Sequence, residues 1–176
     1  RWMDSQIKAA LHVLDPKTNK TEQLTPRAVS GYADNDSMMK INYRLGEALP
    51  GTAFMNRKSR RVDEINFPRD YNLNTENLAH YRQATGGRLP VSCLIVPIVS
   101  AEQNLGLLVL DNFNTTAAFR AEDETLLISL SQQVALSLDN MRLVQTSQER
   151  AGQLQALNDA SASLTTSLST EQLVHS

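Results

Sequence analysis

Side chains able to do covalent chemistry are scarce in this chain of 176 residues. Cys93 is its one cysteine, inside the apolar run CLIVPI. A buried thiol there behaves as a small hydrophobic group rather than as a nucleophile. One cysteine cannot form an intramolecular disulfide, which favours a reducing, cytoplasmic compartment.

Metal and acid–base chemistry have equally little support. The three histidines are His12, His80 and His175. No two of them stand at helical or hairpin ligand spacing, so we predict no metal site. Asp63 and Glu64 are better explained as an exposed strand end than as paired catalytic carboxylates. With no nucleophile–base arrangement and no phosphate-binding glycine loop, we predict that the protein is not an enzyme.

The overall composition is that of a soluble globular domain, with 41% hydrophobic and 20% charged residues. The net charge of −2 predicts no general attraction to nucleic acid or to an anionic membrane. No apolar run approaches the ~20 residues that cross a bilayer, so we expect no direct membrane contact. The chain opens on Arg1 without a signal-peptide pattern and resembles a piece of a larger protein.

The elements that would position these side chains follow from periodicity and turn residues. Residues 8–14 and 21–31 predict a hairpin, with Pro26 at an edge or a bulge. Residues 91–99 and 105–110 predict two central strands covered on both faces. The remaining predictions are a polar loop at 34–36, a short strand around Tyr43, a helix at 51–56, a strand at 61–65, a loop at 66–74 and a helix at 75–84.

A long helix is predicted to begin after Phe119, with no proline and one glycine over about fifty residues. A broad apolar stripe is expected to cover the sheet: Leu126, Leu127, Leu130, Val134, Leu138 and Met141. Further along the helix, a set of residues spaced alternately four and three positions apart predicts a coiled-coil seam and hence a homodimer. Its members are Leu143, Ser147, Arg150, Leu154, Leu157, Ser161, Leu164 and Leu168.

The end of the chain predicts a boundary. Ser169 and Gln172 fit a capping box that would start another helix. We therefore predict one domain at 1–143, a linker helix at 144–168 and the start of a following domain at 169–176.

Four strings, in order along the chain, resemble the GAF domain family of small-molecule sensor modules. They are YRLGEALPG at 43–51, SCLIVPI at 92–98, NLGLLVLDN at 104–112 and FRAEDETLLISLSQQVALSLDNMRL at 119–143. The resemblance implies an α+β fold with a central antiparallel sheet of five or six strands. Helices would lie on both sides of this sheet, and a long C-terminal signalling helix would follow.

The resemblance also implies a ligand pocket roofed by residues 51–87. The candidate ligand-binding residues are Asn66, Arg69, Tyr71, Asn72, His80, Tyr81 and Ser92. The sequence does not identify the ligand or a cofactor.

Three specialised branches of the family fit poorly. The cyclic-nucleotide signature is matched by Asn112, Phe119, Asp123 and Glu124. Phe113 replaces its lysine, so we assign Phe119 and Asp123 a structural role at the start of the helix. Cys93 lies outside the roof, where bilin-binding cysteines occur, and it lacks the second thiol that reduction of free methionine sulfoxide needs.

The sequence therefore predicts a sensory or regulatory module that passes its state along a dimeric helix. The receiver would be an effector domain, such as a histidine kinase or diguanylate cyclase. The alternative is a ligand-free dimerisation spacer within the same kind of parent protein.

Overall fold

The computed structural model describes residues 7–14, 23–100 and 103–174, without the side chains of residues 142, 159 and 161–174. The strands are β1 (Ile7–Leu14), β2 (Gln23–Ser30), β3 (Tyr43–Arg44), β4 (Arg60–Val62), β5 (Ser92–Val99) and β6 (Asn104–Asn112). The helices are α1 (Asn35–Met38), α2 (Ala48–Asn56), α3 (Phe67–Asp70), α4 (Thr75–Thr85) and α5 (Ala121–Val174).

The six strands form one antiparallel sheet in the order β3-β2-β1-β6-β5-β4, which confirms the predicted α+β fold. Strands β1 and β2 pair as the predicted hairpin. Their register shifts between Leu11 and His12, and Pro26 lies opposite His12. Pro26 therefore lies beside a bulge, where its missing N–H is tolerated.

The sheet has an apolar layer on each face, because side chains alternate along a strand. In β6, Leu107 and Val109 belong to the larger cluster, together with residues of α1, α2, α3 and α4. Leu110 belongs to the smaller cluster, with Phe119 and Leu127 of the α5 region. The face covered by the four shorter helices is called the roof face below.

Two predicted loops contain one-turn helices. Asp34 caps α1 by accepting a hydrogen bond from the Ser37 N–H at 3.0 Å. Asn66 caps α3 by accepting from the Arg69 N–H at 3.2 Å. A four-residue helix is too short to show a period of 3.6, so only its capping residues could have revealed it.

The sheet-facing stripe of α5 differs from the prediction. Leu127, Ser131 and Ala135 are buried, at a spacing of four residues. Leu126 and Leu130 remain 46% and 45% exposed. Neighbouring residues are separated by about 100° around a helix, so only one of two adjacent leucines can face the sheet.

The chain divides into two compact units, residues 1–136 and 137–176. The second unit is helical as far as Val174, so Ser169 lies within α5 and starts no separate helix. Leu143, Leu154 and Leu157 are 68%, 67% and 65% exposed. The side chains of Leu164 and Leu168 lie outside the described residues. None of the helices in the described ranges is long and apolar enough to span a membrane.

Replacing Gly86 with alanine is expected to lower the free energy of unfolding by about 1 kcal/mol. Gly86 ends α4 with φ 64° and ψ 34°, the left-handed conformation that a side chain disfavours. Gly86→Asn should cost less, since asparagine tolerates this region. Urea unfolding measures both. Gly152→Ala is the control, because it adds a methyl group within α5 with no atom within 4 Å and should not destabilise.

Candidate functional site

A carboxylate buried under the roof is the most unusual polar group in the described part of the chain. Asp111 lies near the end of β6 and is 1% exposed. Its Oδ2 accepts hydrogen bonds from the hydroxyls of Tyr32 at 2.9 Å and Tyr81 at 3.4 Å. Its Oδ1 accepts one from the hydroxyl of Tyr71 at 3.3 Å. We call these four residues the Asp111–tyrosine cluster.

Each tyrosine comes from a different element with its own local cause. Tyr32 follows Gly31, whose φ of 85° turns the chain after β2. Tyr71 ends α3, and Tyr81 lies within α4. Asn74 caps α4 by accepting from the Asn77 N–H at 2.8 Å. The geometry of the cluster thus depends on two helix caps and one glycine turn.

Burial dominates the electrostatics of the cluster. It raises the pKa of Asp111 to about 6, against the three tyrosine hydrogen bonds, which lower it. Burial and the nearby Asp111 charge raise the pKa of Tyr32, Tyr71 and Tyr81 well above the usual value. Among the described residues, no lysine or arginine forms an ion pair with Asp111. The tyrosines therefore act as neutral donors around an acid that titrates near pH 6.

Three aromatic rings pack together under the roof. Phe67 stacks on Tyr71 with ring centroids 4.7 Å apart and 12° between their planes. Tyr81 packs against both rings, at 5.0 Å from Phe67 and 5.8 Å from Tyr71. These three rings pack against one another among the residues that the sequence predicted to roof a ligand pocket.

An open cleft of about 340 Å³ lies beside the Asp111–tyrosine cluster. Its lining residues are Lys8, Gly31, Tyr32, Ala33, Thr85, Gly86, Arg88 and Phe113. We call it the rim cleft. Tyr32 belongs to both places, because it lines the rim cleft and donates its hydroxyl to Asp111. A molecule in the rim cleft would contact the residue that holds the buried acid.

Only two of the predicted ligand-binding residues, Tyr71 and Tyr81, meet at the buried acid. Asn66 caps α3, and Arg69 pairs with Asp70 at 2.7 Å on the surface. The other three are dispersed: Asn72 is exposed, His80 is half-buried, and the Ser92 hydroxyl donates to the Thr115 carbonyl at 2.7 Å.

The residues matching the cyclic-nucleotide signature have structural contacts. Asn112 Oδ1 accepts from the N–H groups of Asn114 and Thr115 at 2.9 and 2.8 Å. Phe119 is buried beneath α5 in the smaller cluster. Asp123 accepts from the Arg120 N–H at 2.8 Å, at the start of that helix. These contacts agree with the predicted structural role.

Cys93 and His12 are both completely buried. Burial raises the pKa of the Cys93 thiol far above its usual value, so the thiolate is disfavoured. Burial lowers the pKa of His12 to about 4, so its ring is neutral at pH 7. Neither ring nitrogen of His12 has a hydrogen-bond partner among the described residues.

Sequence reasoning missed Asp111, Tyr32, Lys8, Arg88 and Phe113. The available signal was the acid at the end of LGLLVLD, an otherwise apolar strand. Asp111 shares the parity of Leu107 and Val109, which places its side chain on the same face. Its three donors could not be identified, because they lie 79, 40 and 30 residues away along the chain.

The family model for the GAF domain matches residues 1–139. No curated protein sequence matches the chain. A GAF domain from a phosphoenolpyruvate-protein phosphotransferase of Coxiella burnetii is similar in structure, with a TM-score of 0.62 at 18% identity, covering 77% of this chain and 73% of that chain. The GAF domain of the Acinetobacter phosphotransferase has a TM-score of 0.58 at 19% identity, covering 78% and 74%.

Some structural neighbours are enzymes. Free methionine-R-sulfoxide reductase from Neisseria meningitidis, solved with its substrate, has a TM-score of 0.57 at 16% identity, covering 78% of this chain and 70% of that chain. At this level of identity, the structural likeness describes the fold and leaves the chemistry to be argued from the residues.

Proposed function

We propose a regulatory function on the premise that the chain belongs to the GAF domain family. The fold of this family commonly binds small molecules in sensory proteins. The proposed function is that of a non-enzymatic regulatory module. In this proposal it senses a small molecule and passes the bound state to an effector domain of a larger cytoplasmic signalling protein. The effector would be a domain such as a histidine kinase or a diguanylate cyclase.

One observation carries the sensing part of the proposal. The rim cleft shares Tyr32 with the Asp111–tyrosine cluster. Its volume of about 340 Å³ lies within the range of small-molecule sites. A ligand against the Tyr32 ring would bear directly on the hydrogen bond that its hydroxyl donates to Asp111, a buried group that is costly to leave without donors. Occupancy of the cleft would thereby act on β6.

The residues support a regulatory rather than a catalytic role. The structural neighbours that are reductases act on free methionine sulfoxide. In this chain Cys93 is 0% exposed and its thiolate is disfavoured by burial, so it is poorly suited to attack a substrate.

A thermal-shift screen of residues 1–176 with nucleotides, amino acids and tetrapyrroles tests the sensing proposal. A true ligand at one hundred times its Kd should raise Tm by about 5 °C or more. Native mass spectrometry of the purified protein would detect a molecule that is already bound. Absence of binding from every class would contradict sensing.

That outcome would favour the second candidate function, a ligand-free dimerisation spacer. One observation supports it: the rings of Phe67, Tyr71 and Tyr81 pack against one another under the roof. A spacer would keep its dimer-forming helix and lack any small-molecule response.

Both candidate functions require a homodimer whose two chains pair through α5. The proposed contacts are Leu143, Leu154, Leu157, Leu164 and Leu168. Leu143, Leu154 and Leu157 are each about two-thirds exposed, which is costly for leucine unless a partner covers them. A seam with few apolar positions predicts a weak, adjustable pair, as a signalling helix requires.

Sedimentation velocity over a concentration series should show a monomer–dimer equilibrium for residues 1–176. The double variant Leu154→Gln/Leu157→Gln should weaken dimerisation by at least about tenfold, because two seam leucines lose their apolar burial. Ala156→Gln lies on the outer face of the same helix, away from the seam, and should leave association unchanged. A protein that stays monomeric at the highest concentration would contradict the role of α5 in pairing, as would a truncation before residue 144 that associates equally well.

A further inference from the structure

Among the described residues, the lining of the rim cleft combines two cationic side chains with two aromatic rings and includes no acidic side chain. We propose that it binds a small organic anion carrying a planar aromatic ring, an inference that rests on the proposed sensing function and names the ligand class of that site. The anionic group would lie against Lys8 and Arg88, and the ring against Tyr32 and Phe113.

The ring-binding wall is already fixed in place. Tyr32 and Phe113 meet edge to face, with centroids 6.4 Å apart and planes at 87°. They are only 7% and 8% exposed, so their orientations are set by packing. The hydroxyl of Tyr32 is held by Asp111 at 2.9 Å, which leaves its ring as the surface of the cleft. Rigid aromatic walls of this kind bind planar rings with little loss of side-chain entropy.

Arg88 is positioned by the same wall. Its Nη2 donates to the Phe113 carbonyl at 3.1 Å and to the Asn114 side chain, and its guanidinium lies 5.9 Å from the Phe113 ring centroid. Its Nε and Nη1 donate to no group among the described residues. A guanidinium held by one nitrogen keeps its remaining donors in a fixed fork, which suits a carboxylate or a phosphate.

Lys8 completes the charge complementarity. Lys8 lies opposite Asp111 in the register of β1 and β6, which places its side chain on the roof face. Its aliphatic stem runs over Gly31, where an added Cβ would lie 3.1 Å from Lys8 Cδ. Asp111, which accepts the hydrogen bond of the Tyr32 hydroxyl, is not among the lining residues. Among the described lining residues a ligand would meet two cationic side chains and no acidic one, so an anion is favoured over a cation or a neutral molecule.

Fluorine NMR of residues 1–176 with three matched probes tests the proposal: 4-fluorobenzoate, the neutral 4-fluorobenzamide and the cationic 4-fluorobenzylamine. The benzoate should bind at least about tenfold more tightly than either other probe. Arg88→Met and Lys8→Met should each weaken benzoate binding about five- to tenfold, and Arg88→Lys should keep much of it.

Matched controls are Lys58→Met and Arg60→Met, which remove exposed cations outside the cleft lining and should leave benzoate binding unchanged. Urea unfolding of each variant would show whether it is folded. If Lys8→Met does not fold, Arg88→Met still tests the proposal, because Arg88 is exposed. The proposal is overturned if benzoate does not bind, if the amide or the amine binds as well, or if the cleft variants bind like the controls.

The outcome for the ligand class is separable from that for sensing. A thermal-shift response to an amino acid without an aromatic ring, together with no preference for 4-fluorobenzoate among the three probes, would overturn the inference and leave the sensing function standing. Failure of both the probes and the screen would remove both.

Discussion

Replacing Asp111 with alanine is expected to lower the free energy of unfolding at pH 5 by about 4 kcal/mol. The Asp111 side chain is buried and accepts hydrogen bonds from three tyrosine hydroxyls. Alanine would leave those hydroxyls without an acceptor, and each unsatisfied buried donor costs about 1–3 kcal/mol. At pH 5 the native carboxyl group is largely protonated, since its pKa is about 6, so relief of the buried acid masks less of the loss than it would at pH 7.

Urea unfolding measures this effect, and the chain offers three comparisons. Asp111→Asn keeps an acceptor and the side-chain shape and should stay within about 1 kcal/mol of the parent at pH 5. Asp63→Ala removes an exposed carboxylate and should change stability by less than about 0.5 kcal/mol. Tyrosine-to-phenylalanine changes at the three donors, added to Asp111→Ala, should recover part of the loss because they remove the unsatisfied groups. A small effect of Asp111→Ala with no such recovery would contradict the assigned hydrogen bonds.

The second large effect is a pair of opposing pH dependences within one core. The raised pKa of Asp111, about 6 against an ordinary 3.8, gives a stabilising contribution that is present below pH 3.8 and lost as pH rises through 6. The lowered pKa of His12, about 4 against 6.5, gives a contribution that is present above pH 6.5 and lost as pH falls through 4. Each is worth about 3 kcal/mol, so the two largely cancel in the parent protein.

Single variants should expose each dependence. Asp111→Asn leaves His12 alone, so its stability should fall by about 3 kcal/mol relative to the parent as pH drops from 6.5 to 4. His12→Leu leaves Asp111 alone, so its stability should rise by a similar amount over the same interval. Asp34 and Asp70, whose pKa values are lowered by hydrogen bonds, titrate in every variant and cancel in the comparison.

Urea midpoints at half-unit pH steps would measure these curves. At pH 7, His12→Leu should also be more stable than the parent by about 1 kcal/mol or more, because both ring nitrogens of His12 lack partners among the described residues. Parallel pH curves for the two variants would contradict the burial of one or both groups. Ionic strength should matter little, since neither group is exposed to solvent.

Local sequence signals determined most of the regular elements. The hairpin of β1 and β2, the central strands β5 and β6, and the end of α4 at Gly86 follow from alternation, turn residues and a glycine stop. These signals act within about ten residues and are readable from one chain. The family resemblance was likewise carried by short strings in order, and the match over residues 1–139 confirms it.

The tertiary structure alone decided which leucines of α5 meet the sheet and where the polar site lies. Leu126 and Leu127 are equivalent in sequence, and the position of the sheet buries Leu127 and leaves Leu126 46% exposed. Asp111 gathers hydroxyls from three elements up to 79 residues distant. Such convergence depends on how whole elements pack, and no local pattern encodes it, because each tyrosine on its own looks like an ordinary amphipathic side chain.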